Sequence, residues 1–313
     1  MEIISIFACS IVTIMPALKK SLLTDLSLLF LAVIWGLNFT VIKASLAEID
    51  PYSFNSIRFV LAALFMWAII IKRKSWFTID KKDIIPLITL GLIGNLFYQW
   101  LFIIGINLTF AANAAVMLGT IPIWVAISSH LFSLEMLNRL KTIGVFLGFA
   151  GVAIIIFYGK NPVSFGSDNF TGDVTIVLAA VVWALYTIFS KKHLTRYSPV
   201  QYSAMMTSVG AISLTLLAIP HFGETNWESV SLAAFGGAFF SGLLAIGLAY
   251  LIWNNGIKVV GAVRSSTYQN LVPVIGLISG VVLLGENLEL LQYIGAAIVI
   301  AGILITRHGG RIS

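Results

Sequence analysis

The sequence predicts an all-α membrane protein, with ten transmembrane helices arranged as two inverted five-helix repeats. Three observations carry that prediction. The chain is too apolar for water, its charges alternate from loop to loop, and its two halves match in register. Of 313 residues, 59% are hydrophobic and only 10% are charged, against about 25% charged in an average soluble domain. The mean hydropathy is +0.98. Ten apolar helices of roughly 20 residues consume about 200 residues, and the loops take up the rest. No room is left within these residues for a sizeable soluble domain, an ATPase or a nucleic-acid module, and no G-x-x-x-x-G-K-[ST] phosphate loop occurs. An isoelectric point near 9.4 would suggest nucleic acid in a soluble protein; here it reads as loop charge that sets membrane orientation.

Apolar runs separated by short polar breaks place the helices at 24–44, 51–71, 84–106, 111–132, 140–158, 174–190, 199–220, 230–254, 262–284 and 288–306. Each can cross about 30 Å of hydrocarbon. In lipid the backbone must satisfy its own hydrogen bonds, which selects helices over an open sheet. The breaks carry turn chemistry at Asp50-Pro51, Asn161-Pro162, Ser198-Pro199 and Gly285-Glu286-Asn287.

The charges test this map. With the stretch before the first helix cytoplasmic, the cytoplasmic segments hold every Lys and Arg except Lys43, Arg58 and Lys160. Glu48, Asp50, Asp168, Asp173, Glu224, Glu228, Glu286 and Glu289 fall on the other side. That alternation predicts ten crossings of the cell (inner) membrane with both termini cytoplasmic. Residues 1–23 form an N-terminal segment. Its first 18 residues are apolar, with Glu2 and no basic residue ahead of the run, which argues against a signal peptide. They read either as an eleventh helix or as sequence upstream of a start at Met15, and the ordinary cytoplasmic lead Met15-Pro16-Ala17-Leu18-Lys19-Lys20 favours the second. Residues 307–313 read as a cytoplasmic tail.

The repeat is visible at fixed offsets. Asp25 pairs with Asp173, Trp35 with Trp183, Lys43 with Lys191 and Pro51 with Pro199. After a three-residue shift, Gly91 pairs with Gly242, Gly105 with Gly256, Pro122 with Pro273, Glu135 with Glu286, Gly144 with Gly295 and Gly151 with Gly302. The units are 24–158 and 172–306. Five helices is an odd number, so the second unit enters the membrane from the opposite side. Inverted repeats suit alternating access, with a solute site near the midplane between the halves.

Several of these residues form recognisable motifs. They are Trp35-Gly36-Leu37-Asn38-Phe39, the run from Pro122 through Ser133-Leu134-Glu135 to Gly144 and Gly151, and its counterpart from Pro273 through Leu284-Gly285-Glu286 to Gly295 and Gly302. With Ala111–Ala115 and Gly261–Ser265, they resemble the EamA-type transporters of the drug/metabolite transporter superfamily over about residues 24–306. The resemblance implies ten helices, a 5+5 inverted fold and export of small metabolites, often amino acids. Ser133, where the second half has Leu284, departs from the pattern.

Polar groups inside lipid are costly unless they face protein or water, so polar faces within the helices are the candidate cavity lining. Asn95, Tyr98 and Gln99 share one face of the third helix. Trp35 and Asn38 lie on the first, and Trp183 and Tyr186 on the sixth. Tyr250, with Trp253 and Asn254, lies on the eighth, and Tyr268 and Gln269 on the ninth. The alternative for each is interhelical hydrogen bonding or packing. Arg58 lies about two turns, or roughly 10 Å, into the second helix, and its repeat partner is Met206. Two roles suit it: a clamp on a substrate carboxylate, or a structural cation that pairs with Glu48, Asp50 or Glu286 or snorkels outward. Lys43 has the same two readings. Pro122 and Pro273, read as mid-helix kinks, and Glu135 and Glu286, read as helix-end carboxylates, are gating or structural candidates. No acid is read in the membrane core, so facilitated diffusion and exchange stand beside proton coupling.

Cys9 is the lone cysteine and His130, His193, His221 and His308 are scattered, so no disulfide, metal site or cofactor is expected. The expected partners are a small-molecule substrate and the lipid bilayer, not nucleic acid. The leading function is a secondary transporter exporting amino acids or related metabolites. The alternatives are transport of phosphate-bearing or drug-like solutes, and a multipass membrane enzyme. For the enzyme, no acid–base, nucleophile or metal cluster is visible at a consistent depth.

Overall fold

The computed structural model describes residues 2–108, 114, 117–158, 167–275 and 289–312. Among them there is no strand. Eight helices are long and apolar enough to cross a membrane, and Met117–Leu131 is a shorter apolar helix. The first helix, α1 (Glu2–Ser45), is continuous over 44 residues. Helix thus runs without a break from the N-terminal segment into the first crossing. The membrane-length apolar part is Lys20–Ile42.

Caps set the other starts. Asp50 accepts from the Ser53 N–H at 2.8 Å ahead of α2 (Pro51–Arg73), with Pro51 in the first turn, where its missing N–H costs nothing. Ser198 and Gln201 form a capping box at α8 (Pro199–Ala218), the equivalent place in the second half. That helix runs on as 3₁₀ turns over Ile219–Glu224.

The third crossing is α3 (Lys81–Gly91), a π-helical stretch at Leu92–Phe97, then α4 (Tyr98–Leu108). Its counterpart is α9 (Leu232–Phe240), a π-helical stretch at Ser241–Leu248, then α10 (Ala249–Val260). The two π stretches overlap when the first is moved by the repeat offset. Sequence periodicity predicts plain helices there and misses both.

The prolines are relocated as well. Pro122 sits in the first turn of α5 (Ile121–Leu131), after a turn at Thr120. On the other side, α11 (Ala262–Thr267) gives way to a 3₁₀ turn at Tyr268–Asn270, and Pro273 follows in the helical residues 271–275. Neither proline kinks an unbroken helix. Each lacks the N–H that would bond four residues back, and the chain breaks pattern just ahead of it. Glu135 lies beyond the end of α5, in the loop that follows Ser133, whose φ is +52°. The remaining helices are α6 (Arg139–Phe157), α7 (Ser167–Leu194) and α12 (Leu290–Ile312).

Packing is symmetric under exchange of the halves. α2 packs on α8 and α6 on α12. α1 packs on α10 as α7 packs on α4. α2 packs on the Ser241–Leu248 stretch as α8 packs on Leu92–Phe97. Glycine permits the closest of these approaches. A Cβ on Gly144 would stand 2.6 Å from the Gly302 carbonyl oxygen, and one on Gly151 would stand 2.6 Å from that of Gly295. The glycines thus meet each other's repeat mates, so Gly144 and Gly148 serve contact within the chain. Gly276 and Gly280 lie outside the described residues. Leu26, Phe30, Leu64, Ile85, Phe146, Leu178, Ile212 and Leu304 are exposed while Asn95, Asn254, Ser203 and Thr207 are buried. An apolar exterior over a polar interior is the arrangement a bilayer selects.

Candidate functional site

Three tryptophans from three helices meet at the centre. Trp35 of α1 lies 6.2 Å from Trp183 of α7 and 5.5 Å from Trp253 of α10, centroid to centroid. Trp183 and Trp253 are 5.9 Å apart. Around Trp183 stand Tyr98 at 4.8 Å, Tyr186 at 5.1 Å and Tyr250 at 5.7 Å. Gln99 lies beside Tyr250. The cage therefore draws on both halves.

The cage is held from behind by the π stretches. The Trp35 indole N–H donates to the Ala245 carbonyl at 3.0 Å, inside the second stretch, where π geometry shifts the backbone hydrogen-bond pattern. Ser241 donates to Asn38 at 2.7 Å. Asn95 donates to the carbonyls of Gly91 and Met206 at 3.0 and 3.1 Å. Asn38 and Asn95 thus lock helices together. Gly94 admits the Tyr186 ring, since a Cβ there would come within 2.2 Å of a ring carbon.

The indole nitrogens of Trp183 and Trp253 are buried without a hydrogen bond, while Gln99 reaches Tyr250 and Asn254 reaches Tyr186. Buried polar groups are nearly always paired in proteins, with protein or with water. Two unpaired indole donors on an aromatic wall can take a small solute that has an apolar body and a polar end.

Tyr268 is tied to the basic end, and the Gln269 side-chain oxygen is buried without a hydrogen bond. The Tyr268 hydroxyl donates to Asp25 at 2.8 Å. Asp25 also pairs with Arg264 and, at 3.0 Å, with Arg307. The sequence reading placed no acid in the membrane core; Asp25, near an end of its crossing, is 3% exposed and clamped between α1, α11 and α12. Nearby, Glu135 accepts from the Ala262 N–H at 2.9 Å and pairs with Lys141 and Lys191, each at 3.5 Å. At the same end, Asp83 takes two bonds from Arg196 and one from Tyr197. The carboxylate beside it holds the Arg196 guanidinium above its usual range.

The opposite end is tied by weaker links. Ser231 donates its N–H and hydroxyl to Glu48, which holds that carboxyl below the usual range. The Asp50 N–H donates to Thr225 at 2.9 Å. Asp50, His221 and Glu224 offer ligand atoms within 4.8 Å of one another, although Asp50 is far in sequence from the other two. Asp50 is already capping α2 and His221 is bonded to Glu224 at 2.9 Å. The sequence reading, which found the histidines scattered, did not foresee this cluster. The Lys43 side chain and Glu286 lie outside the described residues.

The EamA-like transporter family matches residues 22–157 and again residues 170–307. The chain belongs to this family. A relative in Bacillus subtilis, the uncharacterized transporter YyaM, is 29% identical over 289 residues, 91% of this chain and 93% of its own. An uncharacterized transporter of Archaeoglobus fulgidus is 29% identical over 290 residues, 92% of this chain and 98% of its own. A solved crystal structure shares the fold with a TM-score of 0.77 at 18% identity, covering 91% of this chain and 96% of that one. This is a multipass membrane protein of a transporter family.

Proposed function

We propose that the chain is a secondary transporter that exports small metabolites, amino acids or related compounds foremost, across the cell membrane by alternating access. In this reading 24–158 and 172–306 are two inverted five-helix units, with both termini cytoplasmic. The observation that carries it is the cage of Trp35, Trp183 and Trp253, built across the two halves and lined by unpaired indole donors. Family membership supports transport. The EamA resemblance adds amino acids as the first solutes to try. The charge alternation supports the orientation, and so do the contacts: segments assigned to one side of the membrane bond to one another, as Asp83 does to Arg196 and Glu48 to Ser231.

The test is counterflow in proteoliposomes. One unlabelled amino acid is loaded inside, and a labelled trace of it is followed from outside, across aromatic, small neutral and sulfur amino acids. Transient accumulation of at least one is expected. Folded protein that shows none would remove the amino-acid reading and send the search to other metabolites and drugs.

A further inference from the structure

We infer that Arg58 is a carboxylate anchor, and that the transported solute is a small monocarboxylate or amino acid whose apolar body rests on the aromatic cage. This rests on the transporter reading above. Arg58 is 3% exposed, so it does not snorkel. Its guanidinium donates to Asn55 at 2.9 Å and lies 5.2 Å from the centre of the Phe54 ring. Both partners are neutral. Glu48 bonds to Ser231 and Asp50 caps α2, so these two candidate acids are committed elsewhere; the third, Glu286, lies outside the described residues. Arg58 Nε has no hydrogen-bond partner.

The contrast with the other buried cations decides the matter. Arg264 is paired with Asp25, and Lys141 with Glu135. A buried charge is normally compensated, because removal from water is costly. Among the described residues, Arg58 is a buried cation facing neutral groups. The fold does not demand it, since the equivalent position in the second half is Met206.

Its location gives the charge a use. The guanidinium lies in the neighbourhood of Tyr98 and Tyr250, two of the three tyrosines around Trp183. Phe59, next in sequence, packs edge-on to Tyr250 at 6.3 Å. A carboxylate on Arg58 would therefore leave the rest of the solute beside the cage. A guanidinium presents parallel N–H groups that match a carboxylate. A phosphate dianion would call for a second cation, and Arg264 and Lys141 are bound to acids at the basic end.

The experiment uses the full chain in proteoliposomes with matched probes: phenylalanine against phenylalaninamide, and 3-phenylpropionate against 3-phenylpropionamide, with phenyl phosphate as a further arm. Wild type should exchange each acid at least about tenfold faster than its amide. Arg58→Met should bring the acid down to the amide rate without lowering the thermal midpoint, because replacing a buried charge by an apolar side chain of similar size need not destabilise. Arg58→Lys should keep part of the preference. Equal rates for acid and amide in wild type, an acid preference that survives Arg58→Met, or a preference for phenyl phosphate would overturn the anchor and leave the transporter standing. Loss of exchange with a lowered midpoint in Arg58→Met would assign the residue to folding, unless Arg58→Lys folds and shows the weakened preference. Exchange of no probe, nor of any amino acid in the panel above, by folded protein would remove the amino-acid reading of the transporter and the anchor with it.

Discussion

Trp183 is the residue on which the site turns. Its indole is 2% exposed, touches rings from α1, α4 and α10, and has no partner for its N–H. Packing and hydrogen bonding can be separated here. Trp183→Phe keeps an aromatic body and removes the donor. Its stability should fall by no more than about 1–2 kcal/mol. Solute affinity should fall by a factor of about two to ten, the worth of one net hydrogen bond of about 0.5–1.5 kcal/mol. Trp183→Ala should cost about 3–5 kcal/mol of stability. Thermal unfolding and solute-dependent quenching of the remaining tryptophans measure the two effects. A Phe variant with unchanged affinity would place the indole N–H outside the binding surface. Residues of this kind were readable in the sequence, since Trp35 and Trp183 stand in register at mid-helix. Asp25 was not readable as a clamp. Its partner Arg264 is 239 residues away, and no local pattern announces a contact over that separation.

At the scale of elements, the two π stretches are the least legible feature and among the most consequential. A π-helix widens the helix by one residue per turn and leaves the hydrophobic pattern almost unchanged, so periodicity alone reports an ordinary crossing. The trace it does leave is glycine. Gly94 lies in the first stretch against the Tyr186 ring, and a Cβ on Gly242 in the second would be 2.9 Å from the Arg58 carbonyl oxygen. Paired glycines near both stretches were visible as a repeat, but their purpose was not. Gly94→Ala should destabilise by about 1–3 kcal/mol, since a methyl group there must displace a buried ring. Gly236 in α9 meets nothing within 4 Å, so Gly236→Ala should be neutral or stabilising by up to about 1 kcal/mol through helix propensity. Thermal midpoints in one detergent compare the two. If both glycines tolerate alanine equally, the close approach at Gly94 is not a constraint on the fold.

For the whole molecule, charge placement was the most legible signal, and it also points to how the two ends differ. Lipid imposes a coarse rule, with basic loops on one side and apolar helices between, so the order of crossings can be read without knowing a contact. The consequences of that rule appear only in three dimensions. Among the described residues, ion pairs between the halves cluster at the basic end: Asp25 binds Arg264 and Arg307, and Glu135 binds Lys191. The opposite end is joined by hydrogen bonds to neutral partners such as Ser231 and Thr225. An alternating-access cycle must open each end in turn, and opening the basic end must break these pairs. Glu135→Gln should therefore favour the state open at that end. A loss of about 1.4 kcal/mol of closing bias changes the ratio of states tenfold. Ser265 is fully buried within that end. In a Cys9→Ser background, Ser265→Cys should react with a membrane-permeant maleimide up to about tenfold faster when Glu135→Gln is added. Labelling at an unchanged rate, with the variant still folded, would mean that the Glu135 pairs brace the structure in both states and do not bias the choice between them.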